Sequence, residues 1–343
     1  MKALRVIAPR QIEIQEVPNL IVGPGQLLVD VERVGICGTD VELYTGEMAY
    51  YKSGRTHFPV QIGHEWVGTV SAVGLGVSES WIGKRVTGDT MLGCGRCARC
   101  ATGKTYLCDD RIELGITDGW GGALATQVLI PERFTFGLPD SISIAAAAMI
   151  EPAGNSLRAV EAAQLDENQK LLILGAGTIG LLAAQFALAR NIEVHLAGSR
   201  ASSLELAQQL GPIHVHAIDD ILKNDLREYD AVIDASNLEF MPSLALNRVY
   251  PGGRVVLIGL SGAPSSIDTR VAVLQDVTVV GILSASPGLQ GAIDHFASGA
   301  VNPEPLISEV IGMHQVADRL EGNRGDNAKP GPKIHVDPRL CSR

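Results

Sequence analysis

Four cysteines occupy one short stretch: Cys94, Cys97, Cys100 and Cys108, in CGRCARCATGKTYLC. The spacing C-x2-C-x2-C-x7-C turns neighbouring thiolates toward one point, and the longer loop returns the fourth ligand. A closed tetrahedral shell of this kind holds a loop and leaves no coordination position for chemistry, so structural zinc fits best. An iron–sulfur cluster is a rival. Bacterial C-x2-C-x2-C clusters, however, continue with a three-residue gap and a Cys-Pro pair, whereas here the gap is seven residues and Asp109 follows. Disulfides fit worst, because six cysteines in 343 residues do not make a secreted disulfide scaffold.

A second set has a different character. Cys37 lies in VGICGTD, His64 and Glu65 lie in IGHEWVG, and Glu151 opens EPAGNSLRAV. Cysteine, histidine and carboxylate form the ligand set of a catalytic zinc, which keeps one position open. Taken singly, each has a plainer reading: a core thiol, a satisfied loop histidine, an acid at a helix start before Pro152. Beside the thiolate loop and a dinucleotide motif, the combination points to a working metal. Two zinc ions per chain are expected, one structural and one catalytic.

The dinucleotide motif is G-x-G-x-x-G at Gly175, Gly177 and Gly180, in LLILGAGTIGLLAAQFA. It follows an apolar strand and opens an apolar helix, the context that makes the motif work. The first glycine turns the chain, the second admits the pyrophosphate and the third lets helix and strand pack. Thr178 and Ile179 complete the phosphate-facing turn at the helix N-terminus. The next strand, in EVHLAGSRASS, ends on Gly198, Ser199 and Arg200. A carboxylate there would accept from a ribose 2′-hydroxyl and repel a 2′-phosphate. None is present, and a guanidinium pairs with phosphate through two parallel bonds. NADP(H) is therefore the expected cofactor; the alternative is an ordinary turn with a surface arginine.

These residues need elements to position them. Up to about residue 150 the chain is glycine-rich, with short β-patterned runs at 27–34, 65–73 and 85–91, which predicts an irregular barrel-like β domain. From 169 to about 284, apolar strands at 171–177, 193–199, 215–219, 230–236, 254–260 and 277–283 alternate with helical segments. Strands so continuously apolar are covered on both faces, which predicts a doubly wound parallel sheet. The run PKIHVDP (332–338) predicts a strand that rejoins the first domain. The expected organisation is an α/β chain. Residues 1–155 and 285–343 form the catalytic zinc-binding domain, and 156–284 the cofactor domain.

The apolar fraction is 46%, the charged fraction 19% and the net charge −10. That balance describes a globular chain with a real core and argues against nucleic-acid binding. No apolar run reaches the length of a membrane span, and the N-terminus does not pattern as a signal peptide. Thiolate ligands then fit a reducing cytoplasm.

The motifs VGICGTD, GHE, the four-cysteine lobe, EPAGNSLRAV and GAGTIG stand in an order that resembles the zinc-containing medium-chain dehydrogenases/reductases. That group includes alcohol, sorbitol, threonine and glucose dehydrogenases, and the resemblance covers essentially the whole chain. It implies a GroES-like catalytic domain joined to a Rossmann domain. It implies that Cys37 and His64 are catalytic zinc ligands, and that Glu65 and Glu151 bind the metal directly or through water. It implies that Thr39 takes the alcohol proton. Glu42 stands where liver-type enzymes place a relaying histidine; it either replaces that histidine or is a solvated helix residue. Glu113 resembles a carboxylate that holds sugar hydroxyls in glucose dehydrogenases, or is an exposed loop acid. Tyr44 belongs to an aromatic group around the first metal ligands that could wall a substrate pocket.

The implied function is NADP-dependent oxidation of a secondary alcohol of polyol or sugar type, on a small-molecule substrate, by a homodimer or homotetramer. Two alternatives remain: an amino-alcohol oxidation like that of threonine dehydrogenases, and an NADPH-binding zinc protein without turnover. The run GGALATQ (121–127) departs from the family's usual GFAEY-like segment, so substrate preference does not transfer from any one member.

Overall fold

The computed structural model describes residues 1–223 and 226–340. The described residues form two compact units, one of 1–151, 307–329 and 333–340, the other of 152–306 and 330–332. The first unit begins with strands β1 (Lys2–Ala8), β2 (Gln11–Glu16), β3 (Gln26–Gly35), β4 (Val60–Gln61), β5 (Glu65–Val73), β6 (Arg85–Gly88), β7 (Met91–Leu92), β8 (Ile112–Glu113), β9 (Gln127–Pro131) and β10 (Thr135–Gly137). The second unit supplies β11 (Lys170–Leu174), β12 (Glu193–Gly198), β13 (Ile213–Ala217), β14 (Tyr229–Asp234), β15 (Val249–Leu257) and β16 (Thr278–Gly281). The chain then returns to the first unit with β17 (Ile307–Ile311) and β18 (Lys333–Val336).

In the first unit, β2-β1-β4 form one antiparallel sheet. A larger sheet runs β10-β6-β5-β3-β18-β17, and β9 also pairs β3. Strand β3 carries the load because it pairs with β5, β9 and β18. Its alternation places Leu27, Val29 and Val31 in a core with Leu4, Ile62, Trp66 and Val70. The run 332–338 does rejoin this unit: His335 pairs Gly35 and Val336 pairs Val34.

All pairings in the second unit's sheet are parallel, in the order β13-β12-β11-β14-β15-β16. Every strand expected from the apolar runs is present. The order reverses at β11, where β12 lies on one side and β14 on the other, and such a switch point is where this fold holds its ligand. Leu171, Leu172, Ile173 and Leu174 of β11 are fully buried, as a strand covered on both faces must be.

The boundaries differ from the sequence expectation: the first unit ends at residue 151 rather than 155, and residues 285–306 and 330–332 pack in the second unit, not with the catalytic segments. The helix Leu289–Ala297 buries Leu289, Ala292, Ile293 and Phe296. Its His295 ring meets Phe186 edge-on at 5.2 Å, and the Asn302 N–H donates to Gln185 at 3.1 Å. This apolar face belongs to the cofactor-binding sheet's own helical cover, so the segment follows it.

Candidate active site

Cys37 is the N-cap of the helix Gly38–Thr45, directly after β3. His64 precedes β5 and Glu65 begins it. Gly63 makes this turn at φ +103°, and a Cβ there would meet the Leu124 backbone nitrogen at 2.7 Å, so only glycine brings His64 inward. Strands β3 and β5 are antiparallel, with Gly35 opposite Glu65. The strand pairing thus delivers both ends to one place: one ligand atom from each of Cys37, His64 and Glu65 lies within 4.8 Å of the others. His64 and Glu65 are 4% and 1% exposed.

Two further residues, which the sequence reading missed, complete the electrostatics. Asp40 is fully buried, and its Oδ2 accepts from the Cys37 N–H at 2.9 Å. Its Oδ1 stands 3.6 Å from His64 Nδ1. The third helical position after an N-cap is a place where an acid reaches back to the cap N–H, and that local signal was available in CGTD. Lys333 of β18 gave no local signal. Its Nζ donates to both Glu65 oxygens, at 2.8 and 2.6 Å, and to the Ile36 carbonyl at 3.0 Å. Burial alone would depress the Lys333 ammonium, yet the Glu65 and Cys37 charges hold it above its usual value.

The group fits a metal on its own chemistry. Burial would lower His64, but Asp40 and Cys37 together raise it well above the ordinary imidazole value. Lys333 offsets the Glu65 charge, and Cys37 and Asp40 remain beside His64. Among the described residues, Asp40 Oδ1 and His64 Nδ1 are buried without a hydrogen-bond partner. A carboxylate behind a ligating histidine is the usual outer support of a zinc ligand.

Other expected residues fall differently. Glu151 is half-buried in the first turn of the helix Ile150–Ala163, and the gathered ligand group does not include it. Thr39 and Glu42 lie on the helix that Cys37 caps, both half-buried. Burial, then the Glu47 charge, raises the Glu42 carboxyl above its ordinary value.

Tyr44 is 4% exposed. Its ring packs in the first unit's core, and its hydroxyl donates to Glu321 at 2.9 Å. Glu113 is not an exposed acid. It is 3% exposed, and its Oε1 accepts from Arg55 at 3.1 Å, Arg111 at 3.0 Å and Tyr50 at 3.1 Å. A desolvated carboxylate needs such partners, so this residue ties the β7–β8 region together.

Cys94, Cys97, Cys100 and Cys108 are free thiols whose ligand atoms gather within 4.8 Å. The Cys97 and Cys108 sulfurs are 3.8 Å apart, far beyond a disulfide bond. Hydrogen bonds from the Arg96 and Cys97 backbone pull Cys94 down to about 6, while desolvation pushes Cys100 up to about 11. Four sulfurs this close cannot all ionise unless a cation joins them.

In the second unit, Gly175 leaves β11 at φ +117°, and a Cβ on Gly180 would sit 1.9 Å from the Gly175 carbonyl oxygen. The helix Thr178–Leu188 can start this close to the strand only because both are glycine. Gly177 is its N-cap with no side-chain cap bond, and the space beside it is open. Backbone donors of the first turn, Thr178 and Ile179 included, are therefore available to an anion. Gly198 ends β12 and packs against Ala176 and Leu204. Ser199 and Arg200 are exposed, and Arg200 is the N-cap of the helix Ala201–Gln209, again with no side-chain cap bond.

Comparison with known proteins agrees with this picture. Residues 23–140 match the alcohol dehydrogenase GroES-like domain family, and residues 178–298 match the zinc-binding dehydrogenase family. Among curated relatives, a sorbitol dehydrogenase of Bacillus subtilis (strain 168) is 29% identical over 94% of this chain and 93% of its own length. An L-threonine 3-dehydrogenase of Vibrio parahaemolyticus is 31% identical over 82% of this chain and 83% of its own. Two solved structures superpose with TM-score 0.88 over 98% of this chain and 99% of theirs. One, 26% identical, is a short chain alcohol dehydrogenase from E. coli CFT073 complexed with NADH. The other, 28% identical, is a zinc-binding dehydrogenase from Sinorhizobium meliloti 1021 bound to NADP. With a GroES-like unit that gathers Cys37, His64 and Glu65 and a Rossmann sheet that opens at Gly177, the chain belongs to the zinc-containing medium-chain dehydrogenases/reductases, as an oxidoreductase of the zinc alcohol and polyol dehydrogenase type.

Proposed function

We propose that this chain oxidises a secondary alcohol of polyol or sugar type with NADP, or reduces the corresponding carbonyl with NADPH, using one catalytic zinc, while a second zinc holds the cysteine lobe. The observation that carries the reading is the convergence of Cys37, His64 and Glu65 on one buried point. A zinc held there would supply the Lewis acidity that acidifies the substrate hydroxyl, and the nicotinamide would take the hydride.

The chain's own residues do the rest. Asp40 orients His64, so that the nitrogen turned from Asp40 serves as the ligand atom. Lys333 neutralises Glu65 and holds it beside the other two ligands. The Thr39 hydroxyl accepts the alcohol proton, and Glu42, raised by burial, is placed on the same helix to pass it outward. The first turn of the helix Thr178–Leu188 holds the pyrophosphate, and Arg200 pairs with the 2′-phosphate.

Two supports favour NADP over NAD: β12 ends without a carboxylate, and the helix behind Arg200 has a free N-terminus for an anion. The cysteine lobe needs reduced thiols, which supports a cytoplasmic location. No helix among the described residues is long and apolar enough to cross a membrane. Association as a homodimer or homotetramer is supported by the edge strand β16, whose pattern is largely exposed, beside Val273 and Leu274 at 78% and 79% exposure.

The test is a spectrophotometric screen of NADP and NAD reduction across polyols, aldoses, simple alcohols and L-threonine. NADP-dependent turnover on polyols or sugars is expected. Because curated relatives include L-threonine 3-dehydrogenases, turnover confined to threonine would replace the polyol reading with the amino-alcohol one. NAD clearly preferred would overturn the role given to Arg200.

A further inference from the structure

Strands β12 and β13 carry the runs EVH and HVH, which no part of the dehydrogenase chemistry uses. Side chains alternate faces along a strand. Glu193 and His195 therefore share one face of β12, while Val194 and Leu196 are buried on the other. The parallel register sets His195 opposite His214 and Ala197 opposite His216. Three imidazoles and a carboxylate consequently meet on one sheet face.

The contacts are close. His195 Nε2 lies 2.9 Å from Glu193 Oε1, and His195 Nδ1 lies 2.9 Å from His216 Nε2. The His195 and His214 rings stack at 4.7 Å with 22° between planes. One ligand atom each from Glu193, His195 and His214 falls within 4.8 Å of the others. Around the cluster stand Tyr229, edge-on to His195 at 5.1 Å, and Lys170, whose Nζ is 3.5 Å from Glu193.

We propose that Glu193, His195 and His214 form a third metal site, which binds a divalent transition-metal ion on the Rossmann unit and clasps the edge strand β13 to β12. The donor set selects the ion: imidazole nitrogens suit zinc, nickel, cobalt or copper, and disfavour magnesium and calcium. The Glu193–His195 spacing suits it too: two ligand atoms 2.9 Å apart subtend about 90° at an ion roughly 2.1 Å from each, the angle between neighbouring positions of a two-histidine, one-carboxylate arrangement. The His214 ring, stacked on His195 and exposed, would turn about its side-chain bonds to bring a nitrogen to the same ion. His216 supplies the outer support. A ligating histidine normally donates its far N–H to an acceptor, and His216 Nε2 stands where the His195 Nδ1–H can reach it. In that tautomer the His195 Nε2 lone pair faces Glu193 and would be free to take the ion beside it. The ion would sit three residues before Gly198, so it would also steady the strand that ends in the Ser199–Arg200 turn.

The test uses the full-length protein as isolated, equilibrated with excess NiCl2 and freed of unbound metal. Metal analysis per chain is compared between wild type, His214→Asn and Glu193→Gln. His214 is exposed, so its variant keeps the fold. Wild type is expected to hold one more nickel than His214→Asn, and its melting temperature to rise with added nickel more than the variant's. His216→Gln is expected to keep the site but weaken it roughly 10- to 100-fold. Equal nickel content in wild type, His214→Asn and Glu193→Gln would overturn the proposal. Because only differences are read, the count is independent of how many metals the cysteine sites hold.

Discussion

A carboxylate that is 1% exposed keeps its charge only beside a cation, and Glu65 has Lys333 on both oxygens. Removing one member of such a pair leaves the other charged and desolvated. Lys333→Met is expected to cost roughly 3–5 kcal/mol in urea unfolding at neutral pH, and Lys333→Met/Glu65→Gln to recover most of that. A neutral single variant would show that Lys333 does not balance Glu65. The pair also fixes a pH sense. The Glu65 and Cys37 charges hold the Lys333 ammonium above its ordinary value, so its contribution is complete below the ordinary lysine range and is lost as pH climbs through the raised value. At the same scale, Thr39→Ala is expected to lower alcohol oxidation by roughly 10²- to 10⁴-fold with metal content unchanged; full activity would remove Thr39 from the proton path. Cys37→Ser is expected to lose one zinc of two, whereas loss of neither would break the division into working and structural sites.

At the scale of single elements, β18 holds an acid sensitivity. His335 is fully buried, and neither ring nitrogen has a hydrogen-bond partner among the described residues. Burial, then the Lys333 and Arg33 charges, pushes its imidazole down to about 3. The unfolded chain would bind this proton below about 6.5 and the folded chain would not. Stability should therefore fall as pH drops from 6.5 toward 3, by up to about 1.4 kcal/mol per pH unit from this group alone. Urea melts of His335→Leu should show a shallower acid slope than wild type, and parallel slopes would refute the assignment. On β12 and the helix after it, Arg200→Ala is expected to raise KM for NADP about 10-fold or more and leave NAD unchanged, since a charge-assisted bond is worth about 1.5–3 kcal/mol. Equal effects on both cofactors would mean that Arg200 does not meet the 2′-phosphate.

For the molecule as a whole, β16 is the open edge of the six-stranded sheet, opposite β13. Exposed Val273, Leu274, Val279 and Leu283 lie on or next to it. An unpaired, apolar edge invites a second copy. Leu274→Glu is expected to shift sedimentation toward the monomer, and an unchanged oligomer would place the interface elsewhere. The edge at β13 is different in kind: it is lined by His214 and His216, which suits an ion better than a partner strand.

The features legible in the sequence were those whose parts are neighbours in the chain. The cysteine lobe follows from local spacing, the glycine turn from the room that helix and strand require, and the six parallel strands from apolar runs. Cys37, His64 and Glu65 were found because they sit in two short motifs, VGICGTD and IGHEWVG. The tertiary structure decided which charges are paired. Lys333 reaches Glu65 across 268 residues, through the pairing of β18 with β3 and of β3 with β5. Glu113 is enclosed by Arg55, Arg111 and Tyr50, Glu151 falls outside the gathered ligands, and the histidines of β12 and β13 meet only through strand register. Burying a charge demands a partner, but no local spacing names that partner, because packing and register choose it once distant strands come together.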